Sequence, residues 1–186
     1  VNFIKQKLFF EKMNKLNSIK KIIITGSCSE HKNKDHLTSK FFVNSKNKIK
    51  EIIKKQKKNL IWLRLFFVFG QRQRRGGLIP SIVSSIKNGK LIKLKNPDMI
   101  NDYIHVNDVL KFIISHLNKI KENREYDVGS GYGLKVLDIM NFYQSIFESN
   151  SKIQIKKYFK YCFKAKIPIN KSKIRIETFK NLRLMI

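Results

Sequence analysis

Apolar residues along this chain fall either in short unbroken runs or at helical spacing, and the two patterns alternate. KKIIITGS places Ile22 to Thr25, four β-branched residues, ahead of Gly26, the pattern of a strand buried on both faces. LIWLRLFFVFG, closed by Gly70, is a second such run and reads as one buried strand. Between them, within residues 41–57, Phe42, Ile49, Ile52 and Ile53 recur at helical spacing opposite a lysine-rich side. Strand, helix and strand in that order predict a βαβ unit and a parallel sheet. Residues 3–16, with Phe3, Lys7, Phe10, Met13, Asn14 and the following Asn17 near one face and Leu8, Phe9 and Leu16 beside it, predict an amphipathic helix ahead of the first strand.

Beyond Gly70 the elements shorten. QRQRRGG is a basic loop, and LIPSIVSSIKNGK predicts a helix with Pro80 in its first turn and Gly89 past its end. LIKL and DYIHV predict two short strands. The second leads into a helix from Asn107 to about Asn118, with Asn107 or Asp108 as its N-cap. His105, between Ile104 and Val106, reads as a structural histidine. EYDVGSGYG predicts a strand ending in a glycine turn, and VLDIMNFYQSIF a last amphipathic helix. From Asn150 onward the sequence is basic and mixed and predicts no definite element.

Composition changes the picture mainly through charge. The chain has 186 residues, with 40 Lys+Arg against 13 Asp+Glu, a formal net charge of +27. Such a charge raises a nucleic-acid reading, because clustered cations neutralise phosphates and release counterions. The lysines instead run from Lys5 to Lys180 without one arm or stripe, and arginine, suited to bidentate phosphate and guanine contacts, is sparse. The excess of Lys, Ile, Asn and Phe fits an AT-rich coding bias. A basic nucleic-acid-binding protein therefore ranks third among the readings, with non-specific polyanion binding expected from charge alone. A hydrophobic content of 42% excludes a disordered polyelectrolyte. No apolar run approaches the ~18–20 residues needed to span a bilayer. The charged N-terminus lacks a signal-peptide core, and Cys28 and Cys162 make neither a disulfide framework nor a zinc spacing. A cytoplasmic chain with no membrane partner and no metal is expected. It begins without Met and reads as part of a longer protein.

Taken in order, several segments resemble the extended short-chain dehydrogenase/reductase family, the NAD-dependent nucleotide-sugar epimerases, dehydratases and 4-ketoreductases. KIIITGSCSEH resembles the strand that carries the catalytic Ser/Thr, and FVNSKNKIKEII the helix bearing a Tyr-x-x-x-Lys pair. WLRLFFVFG is similar to Leu-Arg-x-Phe-Asn-x-Tyr-Gly, and GLIPSIVSSIKNGK to the substrate-loop helix. INDYIHVNDVLKFI resembles Arg-Asp-Phe-(Ile/Val)-His-Val-x-Asp-Val, and YDVGSGYGLKVLDI resembles Tyr-Asn-Val-Gly-Ser-Gly. The likeness covers about residues 1–148, and the Ser-Cys-x-Glu run and Leu-Ile-Pro-Ser loop point to 4-ketoreductase-like members acting on deoxysugar nucleotides. It implies an α/β fold: the C-terminal part of a Rossmann-type parallel sheet plus a small α/β substrate-binding domain. The expected division is 1–70 for the dinucleotide-binding part, 71–150 for the substrate-binding region and 151–186 for a basic tail.

The resemblance also implies a site. In the family a Tyr hydroxyl exchanges a proton at the sugar C4 oxygen, a Lys lowers the Tyr pKa and holds the nicotinamide ribose, and a Ser/Thr hydroxyl bonds the same oxygen. A phenol near pKa ~10 is a poor base at neutral pH without such a cation. Ser27 matches the Ser/Thr and Lys46 the Lys, while Phe42 stands at the Tyr position. A second register pairs His36 with Lys40, but it turns Lys46 and Lys50 to the apolar side. Lys46 and Phe66 fall on the cofactor side. Phe67, Arg74, Arg75, Leu78 and Asn101 fall on the substrate side, Phe67 where Asn is usual and Asn101 where Arg usually contacts phosphate.

The cofactor is NAD or NADP at an incomplete site, because the Gly-x-x-Gly-x-x-Gly fingerprint is missing from these residues. GSGYG at Gly129–Gly133 reads as a tight turn rather than a phosphate cradle. The implied function is that of a fragment of a nucleotide-sugar epimerase, dehydratase or 4-ketoreductase in deoxysugar or surface-polysaccharide synthesis. A catalytically inactive nucleotide-sugar-binding pseudoenzyme is the second reading. The partners implied are a nucleotide sugar and a second copy, docked through helices 3–16 and 42–56 with Phe9, Phe10, Met13 and Ile53 as apolar contacts.

Overall fold

The computed structural model describes residues 2–31, 40–55, 59–117, 123–149, 152–155, 162–163 and 180–183. Its contacts divide the chain into two units, Val1–Leu65 with Phe112–Val128, and Phe66–Lys111 with Gly129–Ile186.

The first unit is built on a parallel sheet. β1 (Lys21–Ser27) pairs with β2 (Asn59–Leu65), and β2 with β6 (Arg124–Val128), in the order β1-β2-β6. Helix α1 (Asn2–Asn14) precedes β1, and α2 (Lys40–Lys54) makes the crossover to β2. The α2 stripe read from spacing closes on the sheet: Ile49 and Ile53 join Phe10, Ile22, Leu60 and Trp62 in one buried cluster. Packing at this density makes each of those side chains intolerant of truncation. It also corrects the expected subunit contact. Phe10 and Ile53 are buried in their own unit and Met13 packs against the same cluster, whereas Ile4, Leu8 and Phe9 are exposed.

The second unit holds β3 (Phe67–Phe69), β5 (Ile100–His105) and β7 (Gly133–Lys135) in that order, with β9 (Cys162–Phe163) also on β5. β4 (Ile92–Leu94) pairs in parallel with β8 (Ile153–Ile155). The run LIWLRLFFVFG is therefore two strands rather than one. β2 ends at Leu65, β3 starts at Phe67, and the backbone tightens between them, with Val68 N donating to Phe66 O at 2.9 Å. Hydrophobicity alone cannot show such a change of partner, because both strands are apolar.

Helix α3 (Leu78–Lys87) buries Ile79, Ile82, Val83 and Ile86, and α5 (Val136–Ile146) buries Ile139, Met140 and Tyr143 in the same core. Tyr143 donates to Leu182 O at 2.8 Å, which ties a helical turn at 180–183 to that core. Gly89 ends α3 with φ +60, the left-handed conformation that glycine adopts without strain. α4 (Val106–Leu117) starts one residue before Asn107. The acceptor at its start is the His105 ring, whose Nδ1 receives Asn107 N–H at 3.3 Å, so neither Asn107 nor Asp108 stands before the helix as its cap. Among the described residues no helix is long and apolar enough to cross a membrane.

Candidate functional site

Two sets of groups carry chemistry, one in each unit. In the first, β1 runs straight into a 3-10 turn, Cys28–Glu30, for which Ser27 is the N-cap. Ser27 Oγ accepts from Ser29 N at 3.2 Å, and Glu30 reaches back so that Ser27 N donates to its Oε1 at 2.7 Å. This reciprocal capping holds the residue after the strand in one conformation. Glu30 is buried, which a carboxylate tolerates only with partners. Trp62 Nε1 donates to its Oε2 at 2.8 Å, and Lys50 Nζ lies 3.6 Å away. Gly26 makes room for this arrangement, since a Cβ there would stand 2.3 Å from both Glu30 Oε1 and Trp62 Nε1.

Ion pairs and a histidine–carboxylate hydrogen bond extend along the strand ends. Lys50 and Lys54 reach Glu125 at 3.2 and 2.7 Å, Arg64 pairs with Glu125 and Asp127, and His31 Nε2 meets Asp127 at 2.9 Å. Burial works against the Glu125 charge, but hydrogen bonds from Lys54, Arg64 and Lys50, with the Lys50 charge, bring its pKa down to about 2. This network was not read from the sequence; its one local signal is Glu30 following a strand-end serine.

Lys46 sits on α2 one turn after Phe42, with its Nζ 6.0 Å from the Phe42 ring centroid. The same Nζ donates to Thr25 O at 3.0 Å, two residues before Ser27. The fold thus brings the ends of β1 and of the Lys46 side chain together, with a partly exposed benzene ring beside the ammonium. Phe42 offers no ionisable hydroxyl there. In the second register, Lys40 is the first residue of α2 and His36 lies outside the described residues.

In the second unit a cavity of about 520 Å³ opens beside β3, β4 and the start of α3. Phe67, Leu78 and Asn101 line it, three of the residues on the substrate side, together with Lys93, Lys95 and Tyr103. Phe67 and Tyr103 hold their rings 5.6 Å apart, and Asn101 Nδ2 donates to Tyr103 Oη at 2.9 Å. Burial pushes the Tyr103 phenol up to about 12, against the Asn101 hydrogen bond, so it is neutral at physiological pH. Arg74 and Arg75 are exposed in the turn before α3 and do not line the cavity. Their carbonyls receive Gly77 N at 2.9 Å and Ser81 Oγ at 3.3 Å. Phe66 is buried at the break between β2 and β3. Lys93 and Lys95 went unread because LIKLK gives only a short alternating strand, with nothing to mark which face meets a cavity.

The profile of the NAD dependent epimerase/dehydratase family matches residues 21–129 of this chain. The chain belongs to that family. Among curated relatives, a GDP-6-deoxy-D-talose 4-dehydrogenase from Aggregatibacter actinomycetemcomitans is 33% identical over 98 residues, 51% of this chain and 33% of that protein. A CDP-abequose synthase from Salmonella muenchen is 28% identical over 93 residues, 49% of this chain and 32% of that protein. The matched region thus spans about a third of each curated relative. The fold matches a UDP-N-acetylglucosamine 4-epimerase from Methanobrevibacter ruminantium M1 with a TM-score of 0.76 at 19% identity, over 98% of this chain and 68% of that one.

A NAD dependent epimerase/dehydratase needs a cradle of backbone N–H groups for the dinucleotide phosphates. Glycines sit at the ends of β1, β3 and β6 among the described residues, and the turns after β1 and β6 are already occupied by the chain's own groups. After β1, Ser27 N is held by Glu30 and Ser29 N by Ser27 Oγ. After β6, Asp102 takes Ser130 N at 2.6 Å, Ser130 Oγ at 2.7 Å and Gly131 N at 2.8 Å. A Cβ on Gly129 would stand 2.6 Å from Asp102 Oδ2, so that glycine makes room for a carboxylate of its own chain. These two turns therefore do not fit the dinucleotide phosphates. Nor do the described residues include a cluster of three or more His, Cys, Asp or Glu able to hold a metal.

Proposed function

We propose that this chain is a nucleotide-sugar-binding part of a family member acting on deoxysugar nucleotides, with the proton-transfer position disabled at Phe42. The observation that carries the reading is the 520 Å³ cavity, whose lining joins an aromatic wall to the amide of Asn101 and the cations of Lys93 and Lys95. Rings, a polar reader and cations are what a nucleoside diphosphate requires of a binding pocket. The two curated relatives support a nucleotide-linked sugar as the class, and the first of them a deoxysugar, since their names specify GDP-6-deoxy-D-talose and CDP-abequose. A role in surface-polysaccharide synthesis, a cytoplasmic location and NAD or NADP as the cofactor of the whole protein belong to the same proposal. Ser27 and Lys46 are its remaining catalytic residues, with Lys46 and Phe66 on the cofactor side. Phe67, Leu78 and Asn101 meet the substrate in the cavity, and Arg74 and Arg75 meet it from the loop.

Phe42 beside Lys46 favours the pseudoenzyme form of this reading, because a general acid/base must carry a transferable proton. Two measurements test it. Titration calorimetry of the full chain with GDP, CDP and UDP is expected to show saturable binding to at least one. Heat from none of them refutes the cavity as a nucleotide site. In Phe42→Tyr the new phenol stands beside the Lys46 ammonium, a cation that lowers its pKa below the usual ~10. Ultraviolet difference titration against the wild type reads this directly, and a phenol titrating at 10 or above removes Lys46 as its partner.

A further inference from the structure

Asn101 is 1% exposed on the wall of the cavity. Its Nδ2 is committed to Tyr103 Oη at 2.9 Å, while its Oδ1 is buried without a hydrogen-bond partner among the described residues. A buried amide oxygen with no donor is costly, and a ligand that brings an N–H or O–H removes the cost on binding. A phosphate oxygen cannot, because it is itself an acceptor and negatively charged. The Tyr103 hydroxyl is neutral and adds no cation. The cationic groups of the cavity lining are Lys93, on β4, and Lys95, which follows it.

We infer that Asn101 is a specificity-determining residue for the neutral part of the bound nucleotide. Its Oδ1 accepts a hydrogen bond from a base N–H or a ribose hydroxyl, and the diphosphate is left to Lys93 and Lys95. The inference rests on the proposed nucleotide-sugar reading and goes beyond it. It sets position 101 apart from the phosphate contact that the family resemblance places there. A site built to receive a donor discriminates strongly against analogues that lack it, because its own polar atom is then left unpaired.

Calorimetry on the full chain separates the alternatives with three probes: the diphosphate that binds best among GDP, CDP and UDP, its nucleoside, and inorganic pyrophosphate. In Asn101→Leu, nucleoside and diphosphate are expected to lose affinity by the same factor, about tenfold, with pyrophosphate unchanged. Loss for the diphosphate and pyrophosphate but not the nucleoside would overturn the inference, since the amide would then be donating to phosphate. No change for any probe would also overturn it, leaving Oδ1 satisfied by solvent alone. Asn101→Ala repeats the series if Leu is not accommodated, with near-ultraviolet circular dichroism to confirm the fold. If the wild type binds no nucleotide the site reading falls as well, whereas binding with the wrong pattern across probes removes only the role of Asn101.

Discussion

Replacing Gly129 with alanine puts a number on the clasp between the β6 turn and β5. The glycine has no left-handed φ, so the whole effect of a side chain there is steric. Its Cβ would stand 2.6 Å from Asp102 Oδ2, 2.8 Å from Cγ and 3.0 Å from Oδ1. Relief to ordinary contact needs a shift of roughly 0.8 Å, which stretches hydrogen bonds of 2.6, 2.7 and 2.8 Å past 3.3 Å, where they weaken steeply. Hydrogen bonds to a charged group contribute about 1.5–3 kcal/mol each, and partial relaxation recovers some of the three. The expected cost is about 3–5 kcal/mol, a large share of the ~5–15 kcal/mol that stabilises an ordinary domain. Two other glycines act as references. Gly76→Ala meets nothing within 4 Å and should change stability by less than about 0.5 kcal/mol. Gly89→Ala, at φ +60 in open space, should cost about 1 kcal/mol from backbone strain alone. Urea unfolding at pH 7, followed by circular dichroism, ranks the three. The reasoning also requires the Gly129→Ala increment to shrink below about 1 kcal/mol in an Asp102→Ala background, where the opposing carboxylate is gone. A Gly129→Ala midpoint equal to that of Gly76→Ala, or an increment unchanged by removing Asp102, would refute it.

Two further outcomes follow from the first unit. Because the Glu125 pKa falls from about 4.5 to about 2 on folding, its contribution to stability is complete above pH 4.5 and is lost as the pH drops toward 2. The stability difference between wild type and Glu125→Gln in urea should therefore narrow across that window, and a difference independent of pH removes the ion-pair network as its cause. A homodimer through α1 and α2 would now rest on Ile4, Leu8 and Phe9, with Lys5 and Lys12 on the same helix, since Lys50 and Lys54 are engaged by Glu30 and Glu125. Like charges facing across a two-fold axis are screened by salt, so association should be weak and tighten at high ionic strength. Sedimentation of a monomer at both low and high salt, at micromolar concentration, would rule the dimer out.

Periodicity alone made much of this protein legible. The strand of Ile22 to Thr25, the helix carrying Ile49 and Ile53, and the helix stopped by Gly89 each follow from local rules: β-branched runs bury, 3.6-residue stripes close on a sheet, and glycine takes the left-handed turn. The order of those elements was enough to reach the parallel sheet, while the family came from the resemblance of motifs such as KIIITGSCSEH, WLRLFFVFG and INDYIHVNDVLKFI. What the sequence alone left open depends on which partner an apolar or polar group meets across space. The break at Phe66 is invisible in an unbroken apolar run, and Phe10 and Ile53 read as interface or core with equal ease until the sheet is placed. The capping of α4 by His105, the burial of Glu30 under Trp62, and the turn N–H groups bound by Asp102 join residues up to 32 positions apart. Asn101 shows the same limit most directly. Its type is plain in the sequence, but the engaged amide nitrogen and the unpaired oxygen exist only once β5 folds beside the cavity, since hydrogen bonding depends on angstrom geometry rather than on residue type.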